Sequence, residues 1–271
     1  MNFLITDLKL DRFLFSLPWL LVSYFVLAMA YPIQSQGIMF WVAVGVSFFG
    51  ARCVGMSLNQ IIDNEFDKRN VRTATRALAS GQLSLVKAYL VTFFSFLLLV
   101  IPLFVFEKEL VFFAIAPILL IVFYSWTKRW TPFCHFWLGS IYFFLPTALS
   151  IALFGSIRPE SLWLGIAFAL LITAGDLLYS IQDREVDQKE GLKSFPSRFG
   201  IDKTVWTARF LILLAISCLI SLHLYMSAIA LAILWGRFLL SSNVYNGPFA
   251  NRAFQTCNLY GGLLLLLTFW I

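Results

Sequence analysis

The chain has 271 residues, of which 60% are apolar and 13% charged, whereas globular proteins average about 45–50% and 25%. No soluble domain of this size can bury so much apolar surface, because roughly 30% of the unfolded chain's area stays exposed after folding. The composition therefore predicts an integral membrane protein and excludes intrinsic disorder, a nucleic-acid partner and a cytosolic enzyme, despite a net charge of +6.

Nine apolar windows with few or no charges follow one another along the chain. A helix needs about 20 mostly apolar residues to cross the hydrocarbon core of a bilayer, and each window has about that length. The sequence therefore predicts a single-domain, all-α integral membrane protein (residues 1–271) with nine transmembrane helices. Length alone places the turn between the seventh and eighth windows near His223. The windows are Phe13–Ile33, Ile38–Ile62, Ala88–Phe106, Leu110–Thr127, Phe133–Phe154, Leu162–Ile181, Thr204–Leu222, Leu224–Ser241 and Ala253–Ile271.

The basic residues between these windows predict how the chain is oriented. Fifteen Lys and Arg residues fall on one side of the predicted membrane, and only Lys108 and Arg158 fall on the other. Because Lys and Arg are enriched in cytoplasmic loops, the N-terminus and the two long loops, Asp63–Lys87 and Asp183–Lys203, are expected in the cytoplasm. The lack of a transit peptide favours a multi-pass protein of the bacterial plasma (inner) membrane, with its functional site on the cytoplasmic face.

The second window ends in a ladder of polar side chains. Asn59, Asp63 and Asp67 recur at every fourth position, so on a continuous helix they drift by only about 40° per step and share one face. Glu65 projects away from this face, where it is expected to pair with a Lys or Arg. Three basic residues follow the ladder: Lys68, Arg72 and Arg76.

The sixth window ends in a second ladder. On a continuous helix its members lie within about 80° of one another, and Glu185 again projects away. The ladder consists of Asp176, Tyr179, Asp183 and Asp187, and the basic residues that follow it are Lys189, Lys193 and Arg198.

Both ladders predict a site for a hard cation and an anionic ligand. Carboxylates one helical turn apart repel each other unless a cation lies between them. Oxygen ligands without nearby His or Cys favour Mg²⁺, which proteins typically hold with one or two carboxylates together with substrate phosphates. The ladders with their basic residues therefore indicate a receptor for a diphosphate carried on a lipid. Solvated helix caps are the alternative for either ladder alone, and the repeated spacing disfavours that alternative for both.

Three segments of the chain form a recognisable pattern. The first joins Asn59-x-x-x-Asp63-x-x-x-Asp67 to residues 72–81, the second is residues 124–139, and the third joins Tyr179-x-x-x-Asp183-x-x-x-Asp187 to Gly191–Gly200. This pattern resembles the UbiA superfamily of intramembrane aromatic prenyltransferases. The run Arg52-Cys-Val-Gly-Met56 is similar to the 4-hydroxybenzoate polyprenyltransferase-like branch, which includes enzymes of menaquinone synthesis. One departure is Arg76-Ala-Leu-Ala, where the family commonly has Arg-Pro-Leu-Pro.

The resemblance implies a Mg²⁺-dependent transfer of a polyprenyl group from polyprenyl diphosphate to the ring of an aromatic acid, in ubiquinone or menaquinone biosynthesis. It implies helices around a central cavity open to the bilayer, with the lipid bilayer and the two substrates as partners and no obligatory protein partner. Mg²⁺ would be coordinated by Asn59 and by four catalytic aspartates, Asp63, Asp67, Asp183 and Asp187. The substrates would be bound by Asn59, Arg72, Arg76, Lys128, Arg129, Tyr179, Asp176 and Lys193.

Two ionisable residues inside the windows have roles that stay open. Arg52 lies about 20° from Asn59 on the same helical face and nearly two turns deeper, and a charge in a membrane helix is a functional hypothesis by default. It either binds the carboxylate of the aromatic acid or pairs with Asp63 or Asp176 for structure. His135 either exchanges a proton or binds a hydroxyl of the substrate, or is a hydrogen-bonded interfacial histidine, and the last is favoured.

Two rival functions also stay open. The acceptor is either a small aromatic acid, which Arg52 favours, or another ring of the haem or chlorophyll type. A cation-coupled membrane transporter would instead use the carboxylates as an ion relay. Transporter sites usually lie near the bilayer midplane, whereas these ladders end helices, which disfavours the transporter. Metal-dependent release of diphosphate separates the two classes.

Overall fold

The computed structural model describes residues 10–240 and Tyr245, and the regular structure of these residues is helical. Eleven α-helices and two 3₁₀ helices succeed one another along the chain. The helices are α1 (Leu10–Ala30), α2 (Ile38–Ile62), α3 (Asn64–Arg69), α4 (Leu85–Val100, continued by the 3₁₀ helix Ile101–Val105), α5 (Lys108–Trp130), α6 (Cys134–Phe154), α7 (Pro159–Ser180, continued by the 3₁₀ helix Ile181–Asp183), α8 (Arg184–Lys189), α9 (Phe195–Phe199), α10 (Ile201–Ser221) and α11 (Tyr225–Leu239).

The predicted apolar windows correspond to helices throughout the described part of the chain. The first eight windows match α1, α2, α4, α5, α6, α7, α10 and α11, whereas the ninth, Ala253–Ile271, lies outside the described residues. Six helical segments among them are long and apolar enough to cross a membrane. The predicted turn near His223 is confirmed, because His223 adopts a left-handed φ of 59° between α10 and α11.

The chain divides into two compact units. Among the described residues, the first comprises residues 10–14 together with Ile33–Trp126, and the second comprises Phe15–Pro32, residues 127–240 and Tyr245. The first unit therefore carries the first ladder and the second unit carries the second ladder.

In the first unit, α2 packs against α4. Gly50 of α2 faces the backbone of Leu99, and a Cβ at Gly50 would overlap the backbone nitrogen of that residue. Small residues let membrane helices approach closely and gain packing energy. On the other side of α2, the Cβ position of Gly55 lies 3.6 Å from a methyl carbon of Ile121 in α5.

In the second unit, α7 is the central helix. Thirteen of its residues are buried, and it packs against both α6 and α10. Gly139 of α6 allows the α6–α7 approach, because a Cβ there would lie 2.5 Å from the carbonyl oxygen of Ala169. Phe168 of α7 meets Trp19 of α1 edge-on, with ring centroids 4.7 Å apart. The centre of this unit is therefore a largely buried helix at whose C-terminal end the second ladder begins.

The expectation that each ladder lies on one continuous α-helix is wrong in both units. In the first unit α2 ends at Ile62, and α3 begins at Asn64, after Asp63. In the second unit α7 gives way to a 3₁₀ turn over Ile181–Asp183 before α8 begins. A 3₁₀ helix advances by about 120° per residue instead of 100°, so the turn rotates Asp183 and later residues by roughly 60° relative to Asp176.

Candidate active site

The first ladder keeps its spacing across the break at Asp63. The Asp63 amide donates to the Asn59 carbonyl oxygen at 2.9 Å, and the Asp67 amide donates to the Asp63 carbonyl oxygen at 2.8 Å. The side chains of Asn59 and Asp63 are in direct contact, since Asn59 Nδ2 donates to Asp63 Oδ2 at 2.7 Å. Two of the three predicted ligands thus lie together on one face.

Ser125 is a neighbour of this pair that the sequence did not single out. Its buried hydroxyl on α5 accepts a hydrogen bond from Asn59 Nδ2 at 3.4 Å. Asn59 uses its amide nitrogen for both contacts, which orients the amide and turns its oxygen to the opposite side. That oxygen is the atom an asparagine offers to a hard cation. Ser125 lies within residues 124–139, the middle segment of the sequence pattern described above. Its place in that segment is the signal that could have identified it.

Asp67 is buried, at 7% exposure, and is paired with Arg76. Arg76 Nη1 donates to Asp67 Oδ2 at 2.5 Å across the loop that follows α3. The loop is held near this pair because Thr73 Oγ1 donates to the Asp67 carbonyl oxygen at 3.3 Å. The predicted metal ligand and the predicted diphosphate ligand therefore neutralise each other within the first unit. Arg72 is exposed on the same loop.

Glu65 lies off the ladder, as its helical position predicts. It is exposed and accepts a hydrogen bond from Lys68 Nζ at 2.7 Å. This hydrogen bond lowers the pKa of the Glu65 carboxyl below its usual range. The expected pairing of Glu65 with a nearby base is confirmed.

The second ladder contains Asp187, the most deeply buried carboxylate of the two motifs. Asp183 is 7% and Asp187 is 3% exposed, whereas Glu185 between them is exposed. Asp187 Oδ2 is buried and has no hydrogen-bond partner among the described residues. An unpaired buried carboxylate oxygen is costly, by about 1–3 kcal/mol or more, unless a cation or donor satisfies it. The donor set, carboxylates without sulfur, fits Mg²⁺ at this position.

Asp176, at the start of the second ladder, is held by His135. His135 Nδ1 lies 2.6 Å from Asp176 Oδ2, and the imidazole is buried with 1% exposure. The favoured interpretation of His135 as a hydrogen-bonded residue is confirmed, but its partner is 41 residues away. Only the packing of α6 against α7 brings the two residues together.

Three of the predicted substrate-binding bases, Lys128, Arg129 and Lys193, lie around the end of α5. Lys128 and Arg129 are half-buried in its last turn. The Lys193 amide donates to the Lys128 carbonyl oxygen at 2.7 Å, and Lys193 Nζ donates to the Trp130 carbonyl oxygen at 3.4 Å. The segment after α8 is thereby attached to the end of α5, and the Lys193 ammonium group serves partly as a cap for that helix. Tyr179, also half-buried, lies one turn after Asp176.

Arg52 is half-buried within α2. Its Nε atom is buried and has no hydrogen-bond partner among the described residues. A guanidinium nitrogen in that state is available to an anionic ligand.

Within the described residues, no group of three or more His, Cys, Asp or Glu side chains forms a metal-binding cluster. Mg²⁺ seldom relies on such a cluster, because it keeps several waters and binds through one or two carboxylates and substrate phosphates. The buried oxygen of Asp187 is the feature of this chain that fits such a site.

A family model and individual known sequences both match this chain, and they agree on the family. The model of the UbiA prenyltransferase family matches residues 16–260. The chain is 31% identical over 175 residues to the 4-hydroxybenzoate octaprenyltransferase of Shewanella halifaxensis, covering 62% of this chain and 58% of that one. It is 30% identical over 159 residues to the enzyme of the same name from Neisseria meningitidis, covering 58% of this chain and 53% of that one. The match thus spans little more than half the length of these relatives.

Solved structures share the fold. A UbiA homolog from Aeropyrum pernix, determined in the apo form, superposes with a TM-score of 0.82 at 20% identity and covers 95% of this chain and 96% of that one. A UbiA homolog from Archaeoglobus fulgidus, bound to GPP and Mg²⁺, superposes with a TM-score of 0.66 at 17% identity and covers 97% of this chain and 99% of that one.

Proposed function

The chain belongs to the UbiA prenyltransferase family, and on that premise we propose that it transfers a polyprenyl group from a polyprenyl diphosphate to the ring of a small aromatic acid. The acceptor is 4-hydroxybenzoate or a dihydroxynaphthoate, and the product belongs to ubiquinone or menaquinone biosynthesis. The reaction takes place on the cytoplasmic face of a bacterial inner membrane. Nine transmembrane helices enclose a cavity open to the bilayer, where the prenyl chain lies.

One observation supports the diphosphate chemistry above the others, namely the buried Asp187 oxygen that lacks a hydrogen-bond partner. A buried carboxylate oxygen in this state is costly unless a ligand compensates it. A divalent cation is such a ligand, and the UbiA homolog from Archaeoglobus fulgidus was solved with GPP and Mg²⁺. We therefore assign Mg²⁺ as the cofactor and its ligands as Asn59, Asp63, Asp67, Asp183 and Asp187.

The basic residues supply the second half of the diphosphate site. Arg72 is exposed on the loop after α3, while Lys128 and Arg129 lie in the last turn of α5. Charge-assisted hydrogen bonds from such groups to phosphate oxygens are about twice as strong as neutral ones. Arg76 would act through Asp67, to which it is bonded.

The reaction breaks the bond between the allylic carbon and the diphosphate oxygen and forms a bond between that carbon and the aromatic ring, which then loses a proton. Bound Mg²⁺ would neutralise the charge that develops on the leaving diphosphate. The arginine and lysine side chains stabilise the same developing charge by hydrogen bonds that are in place before the reaction. Aromatic faces along the apolar cavity stabilise the allylic cation.

The acid specificity of the proposal depends on Arg52. Its buried and unpartnered Nε would bind the carboxylate of the acceptor. Relatives with 30–31% identity carry the name 4-hydroxybenzoate octaprenyltransferase, and this name supports a carboxylated acceptor. Both candidate acids carry a carboxylate, so Arg52 accommodates either.

The experiment uses the full chain in detergent or lipid with a polyprenyl diphosphate, Mg²⁺ and either 4-hydroxybenzoate or 1,4-dihydroxy-6-naphthoate. Mass spectrometry detects the prenylated product. Product should form with one of the two acids and should disappear with EDTA, with Asp63→Ala and with Asp183→Ala. Glu185→Ala is the matched control, because Glu185 is an exposed carboxylate two residues from Asp183 and its loss should leave turnover unchanged.

Two outcomes would contradict the proposal. Equal losses of product in Glu185→Ala and Asp183→Ala would show that turnover depends on the total negative charge and not on the ladder carboxylates. A protein that neither forms product nor binds prenyl diphosphate in the presence of Mg²⁺ would favour the transporter instead.

A further inference from the structure

His135 connects three elements of the second unit through its two ring nitrogens. Nδ1 lies 2.6 Å from Asp176 Oδ2 on α7. Nε2 lies 3.4 Å from the backbone nitrogen of Phe195, the first residue of α9. A backbone N–H can only donate, so Nε2 is the acceptor and Nδ1 carries the proton. In this arrangement His135 donates its Nδ1–H to the Asp176 carboxylate.

The two carboxylate oxygens of Asp176 have different roles in this arrangement. Oδ2 is used by the imidazole, which fixes the plane of the carboxylate and leaves Oδ1 as the remaining acceptor. The Asp176 side chain is 14% exposed, whereas that of His135 is 1% exposed. The histidine thus lies behind the carboxylate, and the carboxylate is the member of the pair that a ligand can reach.

We propose that His135 is a positioning residue, and that the Asp176 carboxylate which it orients accepts a hydrogen bond from the ring hydroxyl of the aromatic acceptor. This inference rests on the proposed function. A carboxylate repels a diphosphate when no metal ion lies between them. A phenolic hydroxyl, by contrast, is a hydrogen-bond donor and suits a fixed carboxylate oxygen.

The other ring nitrogen stabilises the segment between α8 and α9. The contacts that hold this segment include the Phe195 amide on His135 Nε2 and the Lys193 amide on the Lys128 carbonyl oxygen at 2.7 Å. Thr173 Oγ1 of α7 also contacts the His135 carbonyl oxygen at 3.5 Å. The two nitrogens therefore have separable roles, since Nδ1 orients the carboxylate and Nε2 holds the loop.

Two amide substitutions separate these roles. The amide nitrogen of Asn can occupy the position of Nδ1, whereas the amide of Gln reaches the position of Nε2. His135→Gln should therefore keep an acceptor for the Phe195 amide but lose the donor to Asp176. We expect it to raise the KM for the aromatic acid and to lower kcat/KM by roughly 10- to 100-fold, the range for loss of one hydrogen bond to a charged group. The KM for prenyl diphosphate should not change.

His135→Asn should recover most of that loss, because it restores the donor to Asp176. Its amide cannot serve the Phe195 N–H, so it should instead speed hydrogen exchange at the Phe195 amide. A purely structural histidine would give the opposite ranking or would affect the KM values of both substrates equally. Either of these results would overturn the proposal.

A double-mutant cycle tests whether His135 acts through Asp176. If it does, His135→Gln combined with Asp176→Asn should be no worse than Asp176→Asn alone, because contacting residues are non-additive. Additive losses would overturn the inference.

The failure of the proposed function is distinguishable from the failure of this inference. If the wild-type protein forms no prenylated product, the proposed function fails, and calorimetric binding of 4-hydroxybenzoate to the wild type and both variants then decides the role of His135. Weaker binding by His135→Gln than by His135→Asn supports the positioning role. Equal binding, or none by the wild type, overturns it.

Discussion

The close approach of α6 and α7 at Gly139 should determine whether the His135–Asp176 contact exists. Gly139 lies one helical turn after His135, and a Cβ there would lie 2.5 Å from the Ala169 carbonyl oxygen, about 0.9 Å short of the 3.4 Å at which ordinary van der Waals contact begins. The same Cβ would overlap Thr173 Oγ1. Because one of these atoms belongs to the backbone, Gly139→Ala must push the helices apart.

The magnitude follows from the same distances. A separation of about 0.9 Å would lengthen the 2.6 Å contact between His135 and Asp176 to about 3.5 Å, beyond the range of a hydrogen bond between these atoms. Overpacking costs about 1–3 kcal/mol, while Ala gains about 1 kcal/mol over Gly in helix propensity. The net effect is a loss of up to about 2 kcal/mol, and the Tm should fall by up to roughly 8 °C.

Gly45→Ala is the matched control for this substitution. Gly45 lies inside α2, is exposed, and has no atom within 4 Å of its Cβ position. There the propensity gain is unopposed, so the substitution should be neutral or should raise the Tm slightly. Both variants are measured by thermal unfolding in detergent and by kcat/KM for the aromatic acid. If Gly139→Ala unfolds at the wild-type temperature and keeps the wild-type kcat/KM, the reasoning from helix separation is refuted.

Two further predictions concern the first unit. Arg76→Gln leaves the buried Asp67 carboxylate without its cation, so it should lower the free energy of unfolding by about 1–3 kcal/mol in metal-free buffer, and added Mg²⁺ should restore part of the loss in denaturation curves. Equal losses with and without Mg²⁺ would contradict a metal role for Asp67. The second prediction concerns Glu65, whose pKa is lowered by the hydrogen bond from Lys68. The stability from this pair is present above the unfolded-state pKa of the carboxyl and is lost as the pH falls through the lowered folded-state value. Because the pair is exposed and screened by water, Glu65→Gln should have a Tm-versus-pH curve nearly parallel to that of the wild type. A marked loss of acid sensitivity in this variant would show that the pair contributes more than its exposure allows.

Much of the helical architecture was determined by local sequence. The window Ile38–Ile62 reproduces α2 to the residue, and the turn near His223 also lies where the sequence predicts it. Both features depend on the length of apolar runs, which the bilayer thickness fixes. The contact between Asn59 and Asp63 is likewise local, because side chains four residues apart on a helix are neighbours.

The backbone geometry and the ion pairing within each ladder depended on tertiary structure. The 3₁₀ turn at Ile181–Asp183 interrupts a pattern that the sequence predicts as one helix, since a change from 3.6 to 3.0 residues per turn over three residues leaves no periodic signal. The pairing of Asp67 with Arg76 joins residues nine apart through a loop, and its geometry is set by the turn and not by helical spacing.

Residue types and spacing by themselves identified the carboxylates and bases of both ladders, because those signals repeat within one or two helical turns. Only the packing of helices decided the partners that come from other helices: Ser125 for Asn59 and His135 for Asp176. These partners lie on different helices, and their distance is set by whether a glycine such as Gly139 lets two backbones approach. That separation is a property of the packed interface, which no local period in the sequence records.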